Sequence, residues 1–420
     1  MKRGQLFQNE YVFSVTTRIV NIVFAIVQSI LVARFLGPAL KGHSTYITSI
    51  ISIGSIVITF GMHQAYPYFR RKYGKEVIFK DYMTAVYSVF AAYFIISSII
   101  GLSLECNLDL KMAIILMPIF GFSRVVDYVY LIENPNKRNS YYVLITFLSL
   151  IIIVILFFST KSTYFWMIVL LSFTNFSYAI IYTIKLHCLP HFTNKIVSII
   201  IEIAKFGFFP MLALLMTTLN YKIDVLMIKQ YSFISFEMIG IYSVGIGLAD
   251  KVALIPDTLK GILVSKLAKG ASEKEVAKVC RLCFISCLFI CTIILLIGEW
   301  AIRVFYGEAY AGSYTVVIIT AGGAVFIGFF KLIAQYNIIN KKQIFNVQLL
   351  LIAIIVNVIG NLIFVPLWGI NGAAFSTCLG HLICGIVFVI WFSKHAKIPF
   401  LSMIFIQKQD MVSIKKYLYK

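Results

Sequence analysis

The sequence is short of charge, and shortest of negative charge. Only 13% of its 420 residues are charged, where a soluble globular chain carries roughly 25%. Thirty-seven Lys and Arg stand against 17 Asp and Glu. A soluble domain of this length needs a polar surface. With 60% hydrophobic residues and a mean hydropathy of +0.91, the natural solvent for this chain is lipid. Also missing is a Gly-rich loop ending in Lys-Ser/Thr, which argues against direct ATP hydrolysis. No polar stretch is long enough for a soluble catalytic domain, and no cofactor is expected. A cleavable leader is not evident either. Lys2 and Arg3 precede an apolar run from Tyr11 to about Leu36, too long for a leader and without a small-residue cleavage site. That run is expected to stay as the first span.

Two features that are present suggest functions the pattern does not support. The net charge of +20 could point to nucleic acid, but clusters such as Arg70-Arg71-Lys72 flank apolar runs, as topology signals do. Nucleic acid is therefore not an expected partner. The eight cysteines imply no disulfide framework. Cys280, Cys283, Cys287 and Cys291 share one helix face, as small side chains packed within a span. A metal site would also need an accessible loop and a closed ligand set.

About twelve apolar segments reach the roughly 20 residues that a bilayer requires. The first six are expected at 11–36, 44–66, 82–104, 112–132, 142–159 and 164–187. The second six are expected at 202–228, 238–262, 280–303, 313–337, 344–366 and 371–393. This predicts an all-α polytopic membrane protein with an N-terminal six-helix lobe (1–187), a linker (188–201), a C-terminal six-helix lobe (202–393) and a basic, partly interfacial tail (394–420). Basic residues crowd alternate connections: Lys2 and Arg3, then Arg70 to Lys80, Lys137 and Arg138, Lys185 and Lys195, Lys260 to Arg281, Lys341 and Lys342, and the tail. The opposite loops hold little beyond Lys41, Lys111, Lys161 and Lys229. By the positive-inside rule both termini are expected in the cytoplasm. Two halves that each start and end inside would be parallel repeats.

Short motifs spread along the chain resemble one family. Arg34-Phe35-Leu36-Gly37-Pro38 with Gly42 resembles the opening of bacterial polysaccharide-export flippases, within the multidrug/oligosaccharidyl-lipid/polysaccharide exporter superfamily. Asp224-Val225-Leu226-Met227-Ile228 followed by Gly240-Ile241-Tyr242-Ser243 is similar to the start of their second half. Phe305-Tyr306-Gly307-Glu308-Ala309-Tyr310 and Pro366-Leu367-Trp368-Gly369-Ile370-Asn371-Gly372-Ala373-Ala374 resemble two of their later connections. The resemblance implies two lobes around a central cavity, in a bacterial inner membrane. It also implies passage of an undecaprenyl-diphosphate-linked oligosaccharide from the cytoplasmic to the outer leaflet, with a polysaccharide polymerase as a partner. These motifs look like structural turns, and no site residue is carried over from them.

Ionisable residues inside spans are costly, roughly 2.5–3.5 kcal/mol each on insertion scales, so they should face a partner or a wet cavity. Ser14, Arg18, Asn21 and Gln28 fall on one face of the first span, as a cavity wall or a polar seam. Arg124 and Asp127, three residues apart, are placed to pair with each other or to part when a phosphate arrives. In the eighth span Asp250 and Asp257 share a face with Lys251 beside it, and Pro256 is expected to kink the helix by freeing the Val252 carbonyl. Lys331 and Gln335 lie in the inner half of the tenth span. His381, alone in the twelfth, is expected to be packed and hydrogen-bonded. Glu202, Lys205, Lys222 and Asp224 are assigned to headgroups or loops at the ends of the seventh span.

Arg18, Arg124, Lys251 and Lys331 are thus the candidates for holding a diphosphate. Asp127, Asp250 and Asp257 are the candidates for coupling to H+ or Na+. A drug/cation antiporter of the same superfamily is the alternative, although a cationic cargo would prefer carboxylates and aromatics. A membrane polysaccharide polymerase is a further alternative, and it would need a sizeable loop or cytosolic domain.

Overall fold

The computed structural model describes residues 2–188, 190–191, 196–268, 270–340, 342–405 and 407. No strand occurs among them. Lipid offers the backbone no hydrogen bonds, so apolar segments pair their N–H and C=O groups within helices. In chain order these are α1 (Lys2–Thr59), α2 (Met62–Tyr73), α3 (Lys75–Ser103), α4 (Leu108–Glu133), α5 (Pro135–Ser159), α6 (Tyr164–Leu186) and α7 (Ile196–Ile228). They continue with α8 (Phe236–Ala249), α9 (Leu254–Ala268), α10 (Glu273–Ala301), α11 (Ser313–Ile339), α12 (Gln343–Trp368) and α13 (Ile370–Ala396).

Among the described residues, 11 helical stretches are long and apolar enough to cross a membrane. The first, Val20–Tyr73, runs for 54 residues, far beyond one bilayer. Gly37 divides it, with φ 70 and ψ 171 inside α1. A side chain is not tolerated at that conformation, so the position needs glycine. Pro38 follows and opens the next helical segment, where its missing N–H costs nothing. Counting the two sides of Gly37 separately gives the twelve expected spans. The chain is an all-α polytopic membrane protein.

The eighth span changes its winding just before Pro256. α8 ends at Ala249, a 3-10 turn covers Asp250–Ala253, and α9 begins at Leu254. The Val252 carbonyl is met by the Cys287 thiol at 3.9 Å. The four cysteines of α10 are all buried, packed against α11 and its neighbours as the small-residue face implies.

Two compact units divide the chain, Met1–Thr218 and Leu219–Lys420, and the division falls inside α7. In the first unit Tyr66, Tyr82, Tyr130 and Tyr182 are fully buried. Tyr130 and Tyr182 stack with ring centroids 4.8 Å apart. Glu133, at the end of α4, accepts hydrogen bonds from Tyr66 and Arg70 and pairs with Lys75, each at 2.6 Å. This ties α2 and the start of α3 to α4. In the second unit α11 is the most buried span and packs on α8, α9, α10 and α13. At the turn from α12 to α13, a Cβ on Gly372 would collide with the Phe364 carbonyl. Beyond α13, Phe400–Met403 forms a 3-10 turn whose Met403 is fully buried in the core of this unit. This part of the tail is docked on protein, while 408–420 lie outside the described residues.

Candidate functional site

In the first unit the two charges three residues apart on α4 do not pair with each other. Asp127 is held by Arg138, from the first turns of α5, through two parallel bonds: Nε to Oδ1 at 2.9 Å and Nη2 to Oδ2 at 2.8 Å. This corrects the expected Arg124–Asp127 pair. Arg138 reaches across the short α4–α5 turn with the planar fork that suits a carboxylate, and its guanidinium lies 4.9 Å from the Tyr142 ring. Arg124 is left with a buried Nη1 that has no hydrogen-bond partner among the described residues. Its neighbour is His63 of α2, close enough for the two to interact electrostatically. His63 is 5% exposed, its Nδ1 also lacks a partner, and its ring meets Tyr128 edge-on at 5.6 Å.

Of the polar stripe on the first span, Asn21 lines a cavity of about 430 Å³ together with Arg138, Asn139 and Tyr142. Its Oδ1 is buried and unpartnered. The side chain of Arg18 lies outside the described residues.

In the second unit the structure brings Lys331 and Asp257 together. Lys331 Nζ donates to Asp257 Oδ2 at 2.8 Å, with the lysine side chain 16% and the aspartate 41% exposed. Asp250, in the 3-10 turn, interacts electrostatically with Lys222, Lys331 and Lys251. Lys222 thus acts on the same carboxylate as Lys251 and Lys331. His381 is 5% exposed, and both ring nitrogens lack a hydrogen-bond partner among the described residues. That corrects the expectation of a hydrogen-bonded histidine. Its ring lies 5.8 Å from that of Tyr221, whose buried hydroxyl is also unpartnered.

The residue that sequence reasoning misplaced is Asp224. Assigned to the membrane surface, it is 3% exposed. Its Oδ2 accepts from Thr377 at 2.6 Å and from Tyr242 at 3.1 Å. Its Oδ1 accepts from Asn361 Nδ2 at 2.8 Å. The same Nδ2 reaches Asn357 Oδ1 at 3.0 Å, and Asn361 Oδ1 is buried without a partner. These donors are neutral. A buried carboxylate is ordinarily paired with a cation, because its desolvation is costly. Here three helices supply only neutral donors, two hydroxyls and one amide N–H, with the amide oxygens of Asn357 and Asn361 close by. A signal was available: Asp224 and Tyr242 both sit in motifs taken for turns.

The two units therefore hold different chemistry. The first offers a half-buried arginine whose buried Nη1 has spare donor capacity beside a histidine. The second offers a lysine paired with a carboxylate, and a separate buried carboxylate held by neutral donors. Buried unpaired polar atoms cost about 1–3 kcal/mol each, so their retention in an apolar chain calls for a functional account.

The chain is thus an all-α polytopic membrane protein of two units, with charged side chains inside its helices. The same fold is found in solved transporters and flippases. The lipid II flippase MurJ, in an inward closed conformation, matches with a TM-score of 0.72 and 16% identity, over 94% of this chain and 89% of that one. An inward-facing multidrug resistance MATE family transporter of the MOP superfamily matches with a TM-score of 0.64 and 13% identity, over 92% of this chain and 98% of that one. A MATE protein in its straight conformation matches at 0.58 and 11% identity, over 92% and 94%. At such identities the likeness is one of fold. No family model matches the sequence, and no curated protein is significantly similar to it.

Proposed function

We propose that this chain is a flippase that moves a diphosphate-linked oligosaccharide lipid across a bacterial cell membrane, with both termini cytoplasmic. The observation that carries this reading is Arg124. A buried guanidinium nitrogen without an acceptor is suited to a phosphate oxygen that arrives with the cargo. The fold shared with a lipid II flippase supports the same cargo class. Arg18 and Lys251 are further cationic candidates in the two units. Lys331 joins them when its carboxylate partner is displaced. In this reading the Arg138–Asp127 and Lys331–Asp257 pairs open as the diphosphate enters and close behind it.

Coupling to H+ or Na+ is assigned first to Asp224. Asp127 and Asp257 already have cationic partners, and Asp250 interacts electrostatically with three lysines. Asp224 has only neutral hydrogen-bond partners, so one carboxylate would offset one monovalent cation. Asp250 is the second candidate. Where the cargo lipid feeds polymer synthesis, a polysaccharide polymerase would be the functional partner.

The direct test is flipping of a fluorescent diphosphate-linked oligosaccharide lipid in proteoliposomes, read as protection from an external quencher. Flipping that is lost in Arg124→Met supports the assignment, and flipping that persists in this variant removes it. The likeness to a multidrug transporter favours an antiporter as the second reading. That reading requires drug resistance on overexpression, with surface polymer unchanged on deletion. The polymerase reading finds no support in the fold.

A further inference from the structure

A cavity of about 530 Å³ lies in the first unit, between the α4–α5 turn and the end of α6. It shares no lining residue with the Asn21 cavity described above. Lys137, at the start of α5, lines it together with Lys185 and His187, at the end of α6. All three basic residues are exposed. The lining contains no carboxylate. The acidic residues nearest in sequence to Lys137 are engaged elsewhere, Glu133 by Arg70 and Lys75 and Asp127 by Arg138. Among the described residues neither lysine has an ion-pair partner, and Lys185 meets only the Tyr141 ring, 5.9 Å away. Tyr130, also in the lining, is 1% exposed, and its hydroxyl has no hydrogen-bond partner among the described residues. No side chain caps α5, so the first N–H groups after Pro135 remain open to an acceptor. Below Lys137, at spacings of seven, four, three and four, Leu144, Leu148, Ile151 and Ile155 continue the same face of α5. Each of them is at least 40% exposed. A basic recess at the head of an exposed apolar face is the arrangement of a membrane interface.

We propose that this cavity binds the phosphate headgroup of an anionic phospholipid, whose acyl chain lies along Leu144, Leu148 and Ile151. The phosphate would sit between Lys137 and Lys185, within reach of the Tyr130 hydroxyl, and would join the start of α5 to the end of α6. Basic pockets between spans recognise such headgroups. A free phosphate shares the charge chemistry but gains nothing from the exposed apolar face of α5. That difference selects the lipid. The inference needs only a membrane-embedded chain and is independent of the cargo.

The test uses the full-length protein in neutral detergent, titrated with short-chain phosphatidylglycerol and, separately, phosphatidylcholine. Bound lipid is counted by native mass spectrometry. Each basic residue near an anionic lipid contributes about fivefold in affinity. The variant K137Q/K185Q should therefore bind phosphatidylglycerol at least about tenfold more weakly. K161Q/K260Q removes equal charge from exposed sites elsewhere and should stay within about twofold of the unmodified protein. Equal affinity for the two lipids, equal loss in both variants, or no loss in the first overturns the proposal. Displacement of phosphatidylglycerol by an equal concentration of inorganic phosphate overturns the lipid as occupant, and failure of phosphate to compete supports it.

Discussion

Replacing Arg124 with methionine should make the protein more stable and transport-dead at once. Nη1 of Arg124 is buried and has no acceptor among the described residues, with His63 as its neighbour. A buried donor left unmade costs about 1–3 kcal/mol, and methionine fills a similar volume without it. The Arg124→Met protein should therefore unfold about 1–3 kcal/mol harder, which is a rise of several degrees for a unit of this size. The same change removes a guanidinium that would make two charge-assisted bonds to a phosphate, worth about 1.5–3 kcal/mol each. The combined loss of about 3–6 kcal/mol is two to four orders of magnitude in affinity. Arg124→Lys keeps the charge and loses the fork, so it should fall between. Thermal unfolding in detergent and the proteoliposome flipping assay give the two readouts. A lower melting temperature with unchanged flipping would refute the argument, because it would make Arg124 a structural residue.

Sodium should raise the melting temperature of the unmodified protein, by about 2.7 kcal/mol of stabilisation at a hundredfold excess over Kd, and Asp224→Asn should abolish the response. A sodium response that persists in Asp224→Asn places the cation elsewhere. Asp257→Asn frees Lys331 from its 2.8 Å partner, so inorganic pyrophosphate should bind severalfold more tightly in isothermal titration while flipping slows. Unchanged pyrophosphate affinity would show that Lys331 does not meet the cargo. Gly372→Ala, where a Cβ would meet the Phe364 carbonyl, should lower stability by about 1–3 kcal/mol or abolish membrane accumulation. Normal yield and melting would contradict the close approach of α12 and α13.

The spans were legible because each is a local property, an unbroken apolar run of bilayer length. The two interruptions were legible for the same reason. Gly37-Pro38 and Pro256 act on their own backbones, and the helices divide where those residues require. The cysteine face also follows from helical spacing alone. What was not legible depends on partners brought from far along the chain. Position within a span gave Asp224 a shallow depth, but Asn361 and Thr377 are 137 and 153 residues away and enclose it. Asp127 had a candidate cation three residues off, yet the arginine that holds it is 11 residues on, across a helix turn that spacing rules do not cover. Lys331 and Asp257 were each identified as candidates, but their pairing over 74 residues was not. His381 shows the opposite error. A typical buried histidine is satisfied, and this one is surrounded by partners that leave it unsatisfied.

The four-residue break at Asp250–Ala253 has a mechanical consequence. An uninterrupted helix turns as one shaft, so a twist at one end arrives at the other. Here the α8 end carries Tyr242, bonded to Asp224, and the α9 end carries Asp257, bonded to Lys331. In the proposed function, the 3-10 turn would act as a clutch between them. With the joint stiff, a cation seated at one end would turn the grip on an anion at the other. With the joint slack, each end would move without the other. The thiol of Cys287 rests on the Val252 carbonyl at that joint.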